Sequence, residues 1–152
     1  MGALNKRILI ILDSKSRLKG HLKDLIETKG LHCEVCTSSR TGINRLHENK
    51  FFLTIIDYDT PKMDSLDLLN ALGKKDYLSP PLVILFLNSP NKATRKKALR
   101  AGAYAVLEKP LKTQELLSVI IRAYKRYAHT LNHKVSPAQN PLICEMTSPC
   151  RG

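Results

Sequence analysis

Three short apolar segments of this chain end in charged residues, a pattern typical of buried strands that carry polar side chains to one edge of a sheet. Residues 53–56 are followed by Asp57 and Asp59, residues 8–12 by Asp13, and residues 104–107 by Glu108 and Lys109. Carboxylates at such an edge bind a divalent cation or attack phosphorus. Two acids and one lysine on neighbouring strand ends therefore predict a phosphoryl site.

The apolar segments belong to a regular alternation of five strand-like and five helix-like segments. We expect strands over residues 7–12, 31–36, 52–57, 82–87 and 104–108, and helices over about 15–29, 40–49, 65–73, 90–101 and 113–131. The alternation predicts an α/β fold with a five-stranded parallel sheet covered by helices on both faces, in the flavodoxin-like order 2-1-3-4-5. Ligands bind such sheets beyond the carboxyl ends of strands one and three, which here lead into Asp13 and Asp57.

Several predicted helix boundaries carry residues that favour helix ends. Gly30 and Gly102 stand where a helix C-terminus favours a left-handed residue, and Ser89 followed by Pro90 predicts a helix start. The final helix has one apolar face, which we expect to pack on the sheet. That face consists of Leu116, Ile120, Tyr124, Tyr127 and Leu131.

The 152 residues suffice for one domain, which we place at residues 1–131. Residues 132–152 are polar and contain three prolines, and we expect them to form a flexible tail. No apolar stretch approaches the ~20 residues that span a bilayer, and residues 1–7 lack the apolar segment and cleavage site of a signal peptide. We therefore expect a cytoplasmic protein that makes no contact with a membrane.

Cysteine spacing gives only a weak signal for a metal site. Cys33 and Cys36 match half of a zinc site, but no second Cys or His pair has ligand spacing. Their separation of three positions in a predicted strand places them on opposite faces of the sheet. We expect both thiols to be reduced, as is usual in the cytoplasm.

The formal net charge of +12 favours nucleic acid, anionic lipid headgroups or an acidic protein as a partner, without choosing among them. The densest group of cations, which we call the basic cluster, consists of Lys92, Arg95, Lys96, Lys97 and Arg100. A solvated helical face is the simplest explanation of this cluster. A partner-binding surface is the functional one.

A metal ion is the natural companion of the acids at the sheet edge. Asp13 and Asp57 would repel each other at close range, and Mg²⁺ with oxygen ligands relieves that repulsion. Asp57 could then act as the nucleophile toward a phosphoryl group, while Mg²⁺ and Lys109 neutralise charge on the transferred oxygens. In a plainer alternative, Asp57 caps the following turn and Lys109 is an ordinary surface lysine.

Residues 7–127 resemble the receiver domains of bacterial two-component response regulators, the CheY-like group. Residues 57–65 are similar to the family's phosphoacceptor loop, and residues 101–103 with 107–110 are similar to its lysine-proline signature. The resemblance implies that Asp57 accepts phosphate from a histidine kinase or phosphotransfer protein and that Lys109 contacts the phosphate. It implies that Asp13, Asp57 and the main-chain carbonyl of Asp59 bind Mg²⁺, that the bond before Pro110 is cis, and that a downstream target protein binds a face that includes the basic cluster.

The chain departs from the family pattern at four positions. Leu12 replaces the first acid of a pair, Leu87 replaces a Ser or Thr, Val106 replaces an aromatic residue, and Ser65 replaces a glycine. We therefore expect a weakened Mg²⁺ site and a phosphorylation that is poorly coupled to rearrangement, unless Ser89 supplies the missing hydroxyl.

Three alternatives to a phosphorylated receiver stay open at this point. A pseudo-receiver would act as a phosphorylation-independent protein-interaction module. Residues 57–60 also resemble the nucleophile motif of haloacid dehalogenase-type phosphatases, although the later acidic pair of that class is missing. Nonspecific nucleic-acid binding through the basic cluster, with an affinity that falls steeply with salt, is the third. The leading hypothesis is a receiver that is not an enzyme beyond its own phosphorylation and dephosphorylation.

Overall fold

The computed structural model describes residues 6–48, 51–58, 82–88 and 91–134, with side chains up to residue 129 in the last helix. The strands are β1 (Arg7–Ile11), β2 (His32–Cys36), β3 (Leu53–Asp57), β4 (Leu82–Leu87) and β5 (Ala105–Glu108). The helices in these ranges are α1 (Leu18–Glu27), α2 (Ser39–Glu48), α3 (Lys92–Arg100) and α4 (Thr113–Lys134). Each falls on a predicted segment, whereas the helix predicted over residues 65–73 lies outside the described residues.

The strands form a single parallel sheet in the order β2-β1-β3-β4-β5, which confirms the predicted fold class. Ile11 at the end of β1 pairs with Ile56 of β3, and Asp57 pairs with Phe86 of β4. The strands that precede Asp13 and Asp57 are therefore neighbours whose carboxyl ends lie at the same edge. The chain adds β2 on one side of β1 and then β3 on the other side, so the strand order reverses at β1 and β3. Their carboxyl ends therefore form the switch point of the sheet, where ligands bind in folds of this kind.

Apolar side chains cover both faces of the sheet, because successive strand residues point to opposite sides. On one face, strand residues pack with α1 and α4; they are Ile8, Ile10, Leu53, Ile55, Ile84, Phe86 and Leu107, with Leu22, Ile26, Leu116 and Ile120 from the helices. On the other face the buried residues are Leu9, Ile11, Ile56, Leu85, Leu87 and Val106, with Leu46 of α2 and Ala98 of α3. Two helix-covered faces account for the uninterrupted apolar runs of the strands.

Helix α2 lies close to strands β1 and β2. A Cβ atom at Gly42 would overlap the side chain of Ile11, so the helix axis lies near β1. Arg45 donates from Nη2 to Glu34 of β2 at 2.9 Å, also donates from Nε to the same carboxylate, and donates from Nη1 to Glu48 at 2.8 Å. The Arg45 guanidinium lowers the pKa of the Glu34 carboxyl below its usual value.

The predicted helix ends are confirmed at the glycines and wrong at two other places. Gly30 and Gly102 have φ values of +80° and +115°, which favour glycine. Helix α3 is capped by Asn91, whose side chain accepts from the Thr94 N–H at 3.1 Å, and not by Ser89 as predicted. Helix α4 continues to Lys134, so the first three residues of the predicted tail are helical, while residues 135–152 lie outside the described part.

Cys33 and Cys36 lie on opposite faces of β2, as predicted, and neither forms a disulfide within the described residues. Burial raises the pKa of the Cys33 thiol to about 11, and burial also raises the pKa of Cys36. Both side chains are therefore protonated at neutral pH, which disfavours metal ligation by thiolate. None of the described helices combines the length and apolar character needed to cross a bilayer.

Thr54 in the middle of β3 carries a buried hydroxyl group that makes no hydrogen bond within the described residues. It lies between Leu9 of β1 and Val83 of β4, and its Oγ1 is the one buried side-chain polar atom of the described residues that finds no hydrogen-bond partner. A desolvated hydroxyl that makes no hydrogen bond destabilises the fold.

We predict that Thr54→Val raises the free energy of unfolding by about 1 kcal/mol, since a methyl group replaces the unsatisfied hydroxyl at nearly constant volume. Urea denaturation followed by circular dichroism measures this change. Thr54→Ser is the matched control, because it keeps the hydroxyl and loses the methyl contacts, and it should destabilise the protein. A loss of stability in Thr54→Val would mean that the hydroxyl is satisfied.

Candidate functional site

Asp57 and Lys109 meet in a direct ion pair at the carboxyl edge of the sheet. The Lys109 Nζ donates to Asp57 Oδ2 at 2.7 Å. The Asp57 side chain is only 7% exposed and that of Lys109 is 22% exposed, so both charges are largely removed from water. The structure thus brings together two predicted site residues that lie 52 positions apart in the chain.

The alternation of side chains along the strands explains why this pair forms. Asp57 follows Leu53 and Ile55 on the face covered by α1 and α4, and Leu107 of β5 lies on that same face. Lys109 comes two residues after Leu107, and its long side chain reaches across the end of β4. The Lys109-Pro110 peptide bond is cis, as the family resemblance implies.

Asp13 occupies the same edge of the sheet, directly after β1. Its main-chain carbonyl accepts from the Ser16 N–H at 2.9 Å, and its Oδ1 lies 3.4 Å from the Lys15 N–H donor. Its half-buried carboxylate is thereby oriented by the turn that leads into α1. Asp59, the third predicted metal ligand, lies outside the described residues.

The donor chemistry at this edge fits a magnesium ion. Asp13 and Asp57 offer carboxylate oxygens, the hard ligands that Mg²⁺ prefers. Within the described ranges, which omit Asp59, no three His, Cys, Asp or Glu side chains are grouped as metal ligands. A complete site therefore requires oxygens beyond those of the described acids, and Mg²⁺ commonly keeps several water ligands.

Three of the departures from the family pattern are buried apolar residues in the structure. Leu12 packs in the cluster under α1 and α4, while Leu87 and Val106 pack in the cluster under α2 and α3. Val106 pairs with Leu85 on the neighbouring strand. These positions supply van der Waals contacts to the core and no polar group to the site. Ser65 and Ser89 lie outside the described residues.

The residues of the basic cluster all lie on α3, and all of them are exposed. Ala98 is the buried residue of this helix, and no acid occurs in it. Leu99 is 45% exposed in the middle of the cations. The structure therefore confirms an exposed basic face, with an apolar residue within it.

Sequence reasoning missed the partner of one member of this cluster. Arg95 Nη1 lies 3.6 Å from Glu108 Oε2, and the side chains are 44% and 38% exposed. Glu108 was predicted only as a charged strand end. The available signal was that Glu108 is the acid closest in sequence to Arg95.

Comparison with known proteins gives a consistent result. The family model described as "Response regulator receiver domain" matches residues 8–121. The chain is 28% identical over 116 residues to the transcriptional regulatory protein CrdR of Helicobacter pylori, and the aligned region covers 76% of this chain and 54% of that protein. It is 30% identical over 115 residues to the two-component response regulator ARR10 of Arabidopsis thaliana, covering 74% of this chain and 20% of that protein.

A solved structure shares the fold over nearly its entire length. The response regulator receiver domain protein (CheY-like) from Methanospirillum hungatei matches with a TM-score of 0.73 and 25% identity, covering 82% of this chain and 98% of that one. The chain spans about half the length of the first curated relatives it matches.

We predict that Lys109→Met lowers the free energy of unfolding by about 2 kcal/mol, because it removes the Lys109 ammonium from its 2.7 Å contact with the buried Asp57 carboxylate. The double variant Asp57→Asn with Lys109→Met should be more stable than Lys109→Met alone, since neither buried charge then remains. Urea denaturation of the wild type, the two single variants and the double variant in the absence of divalent metal measures this coupling. Strictly additive effects would show that the two side chains do not depend on each other.

Proposed function

Since this chain belongs to the family of response regulator receiver domains, we propose that Asp57 is its phosphoacceptor and that Lys109 holds the phosphoryl oxygens after transfer. Receiver domains act in two-component signal transduction as phosphoacceptors rather than as classical enzymes. The observation that carries the proposal is the 2.7 Å contact between Lys109 Nζ and Asp57 Oδ2 at the switch point of the sheet. Membership in this family also disfavours the phosphatase interpretation of residues 57–60.

The positions of the described side chains support the following transfer. An Asp57 carboxylate oxygen attacks phosphorus, a bond from phosphorus to oxygen forms, and the bond from phosphorus to the donor breaks. When the donor is a phosphohistidine of a histidine kinase or phosphotransfer protein, the freed imidazole nitrogen takes up a proton. The Lys109 ammonium neutralises Asp57 before the reaction and the phosphoryl oxygens after it, so its charge is used in both states.

Receiver domains bind Mg²⁺ at this acidic pocket, and we propose that Asp13, Asp57 and the main-chain carbonyl of Asp59 would hold it here. The ion would neutralise negative charge on the transferred oxygens. We further propose that this site is weak, because Leu12 contributes no charge to it. A unit charge ~4 Å away contributes about 4 kcal/mol at an effective dielectric of ~20, and losing a third of that weakens binding about tenfold.

We also propose that phosphorylation changes the α3 face only weakly. In the family the hydroxyl and the aromatic residue transmit the change, and here Leu87 and Val106 are buried apolar residues. Neither side chain can follow a phosphoryl group by forming a hydrogen bond. The basic cluster would then be presented to a downstream target protein in much the same form in both states. Receiver domains interact with histidine kinases and downstream effectors, and the identity of these partners here is part of the proposal.

We place the exchange in the cytoplasm, and the free thiols of Cys33 and Cys36 support this location. The partner-binding role is assigned to Lys92, Arg95, Lys96, Lys97 and Arg100. This assignment is supported by the exposure of the five side chains, by their common positive charge and by their position on one helix that contacts β5.

We predict that incubation with acetyl phosphate and Mg²⁺ adds one phosphoryl group, slowly and only at high Mg²⁺ concentration. Intact-mass spectrometry detects the addition, and Asp57→Asn should abolish it because the nucleophile is gone. Asp24→Asn, on the exposed surface of α1, is the matched control and should be phosphorylated like the wild type. No addition at any Mg²⁺ concentration would favour the pseudo-receiver instead.

We predict that Leu12→Asp lowers the Mg²⁺ concentration needed for this phosphorylation, since it restores a negative charge beside Asp57. The same change places a carboxylate in the core, so the variant should have a lower free energy of unfolding than the wild type when no metal is present. Adding Mg²⁺ should raise the free energy of unfolding of the variant by more than it raises that of the wild type. Urea denaturation with and without Mg²⁺ measures this. Leu12→Asn is the uncharged control, and an unchanged metal requirement in Leu12→Asp would show that the missing acid does not limit binding.

A further inference from the structure

A groove runs along the outer side of β5, between α3 and the beginning of α4. It has a volume of about 330 Å³, and it is lined by residues 106–110 with Arg95, Lys112 and Glu115. Within the described residues, β5 is the outermost strand of the sheet and pairs with β4 on its other side. The groove thus lies along the outer edge of β5, and the backbone of an outer strand can pair with an extended peptide.

The charges around this groove are unevenly distributed. The exposed cations of α3 border it on one side, and Lys112 lies on the other. Glu108 lies inside the groove, and its carboxylate is 3.6 Å from the Arg95 guanidinium. That distance is longer than a charge-assisted hydrogen bond, and both side chains are partly exposed, so the contact is weak and easily exchanged.

We propose that this groove binds a carboxylate-bearing segment of an acidic partner protein, and that Glu108 is a built-in competitor which the partner displaces from Arg95. The inference rests on the proposed docking of a partner at α3 and adds the chemistry of that partner. Displacement exchanges one weak ion pair for a stronger one, while Lys92 and Lys96 steer further acids toward the helix. Glu108 therefore lowers the affinity for any acidic segment and limits binding to partners that supply a well-placed carboxylate.

The groove fits a peptide better than a nucleic acid. A nucleic-acid strand carries a continuous row of phosphates, which Glu108 and Glu115 would repel. A peptide can place its acids opposite Arg95 and leave other positions uncharged. Leu99, which is 45% exposed among the cations, could add one apolar contact to such a peptide.

The test uses the full chain and a short fluorescein-labelled peptide in which glutamates alternate with uncharged polar residues around one central leucine, and binding is measured by fluorescence anisotropy at constant salt. Arg95→Gln should weaken binding about tenfold, and Glu108→Gln should tighten it about threefold. Lys23→Gln and Glu27→Gln on α1 are matched controls, because they change the same charges on exposed positions away from α3, and both should leave the affinity nearly unchanged. Thermal melts of all variants identify any that fail to fold.

Three results would overturn the inference. Arg95→Gln could weaken binding no more than Lys23→Gln does, Glu108→Gln could fail to tighten it, or random-sequence duplex DNA could bind more tightly than the peptide at equal salt. Asp57→Asn separates this inference from the proposed function. Tight peptide binding by Asp57→Asn, with no phosphorylation of the wild type, would reject the phosphoacceptor role alone, whereas normal phosphorylation without peptide binding would reject the acidic partner alone.

Discussion

The buried ion pair between Asp57 and Lys109 is the interaction on which the rest of the site depends. A carboxylate that is 7% exposed is costly to keep ionised unless a cation lies beside it, and the ammonium of Lys109 at 2.7 Å supplies that cation. The pair forms only because the chain places β4 between β3 and β5 with all three carboxyl ends at one edge. The fold thus brings a distant lysine to the end of β3, and the same contact holds the Asp57 carboxylate in place.

The apolar residues around this pair change what the site can do. Leu12, Leu87 and Val106 belong to the two apolar clusters and offer the site no charge, hydroxyl or aromatic ring. Apolar residues at these buried positions avoid the cost of a polar group that is not fully satisfied. The chain therefore keeps the Asp57 carboxylate and the Lys109 ammonium together within apolar surroundings. Thr54 is the exception, with its unsatisfied hydroxyl in the centre of β3.

Sequence reasoning succeeded where a local pattern decides the structure. Buried strands, their order and the meeting of strand ends followed from apolar runs and from the right-handed connections of parallel sheets. The start of α3 could not be predicted in the same way, because Ser89 and Asn91 are both good caps and only the backbone decides between them. The end of α4 was placed too early, since no glycine or proline stops it before Lys134. The contact of Arg95 with Glu108 joins a helix to a strand. It could not be predicted from the sequence, because a contact between side chains of different elements produces no periodic sequence pattern.

The close approach of α2 to β1 links a remote position to the acidic edge. Gly42 leaves no room for a side chain next to Ile11, and the strand that carries Ile11 leads into Asp13 two residues later. A larger residue at this helix position would first have to displace the Ile11 side chain, which belongs to the strand that precedes Asp13. The close spacing of α2 and β1 therefore depends on a residue without a side chain that lies outside the acidic edge itself.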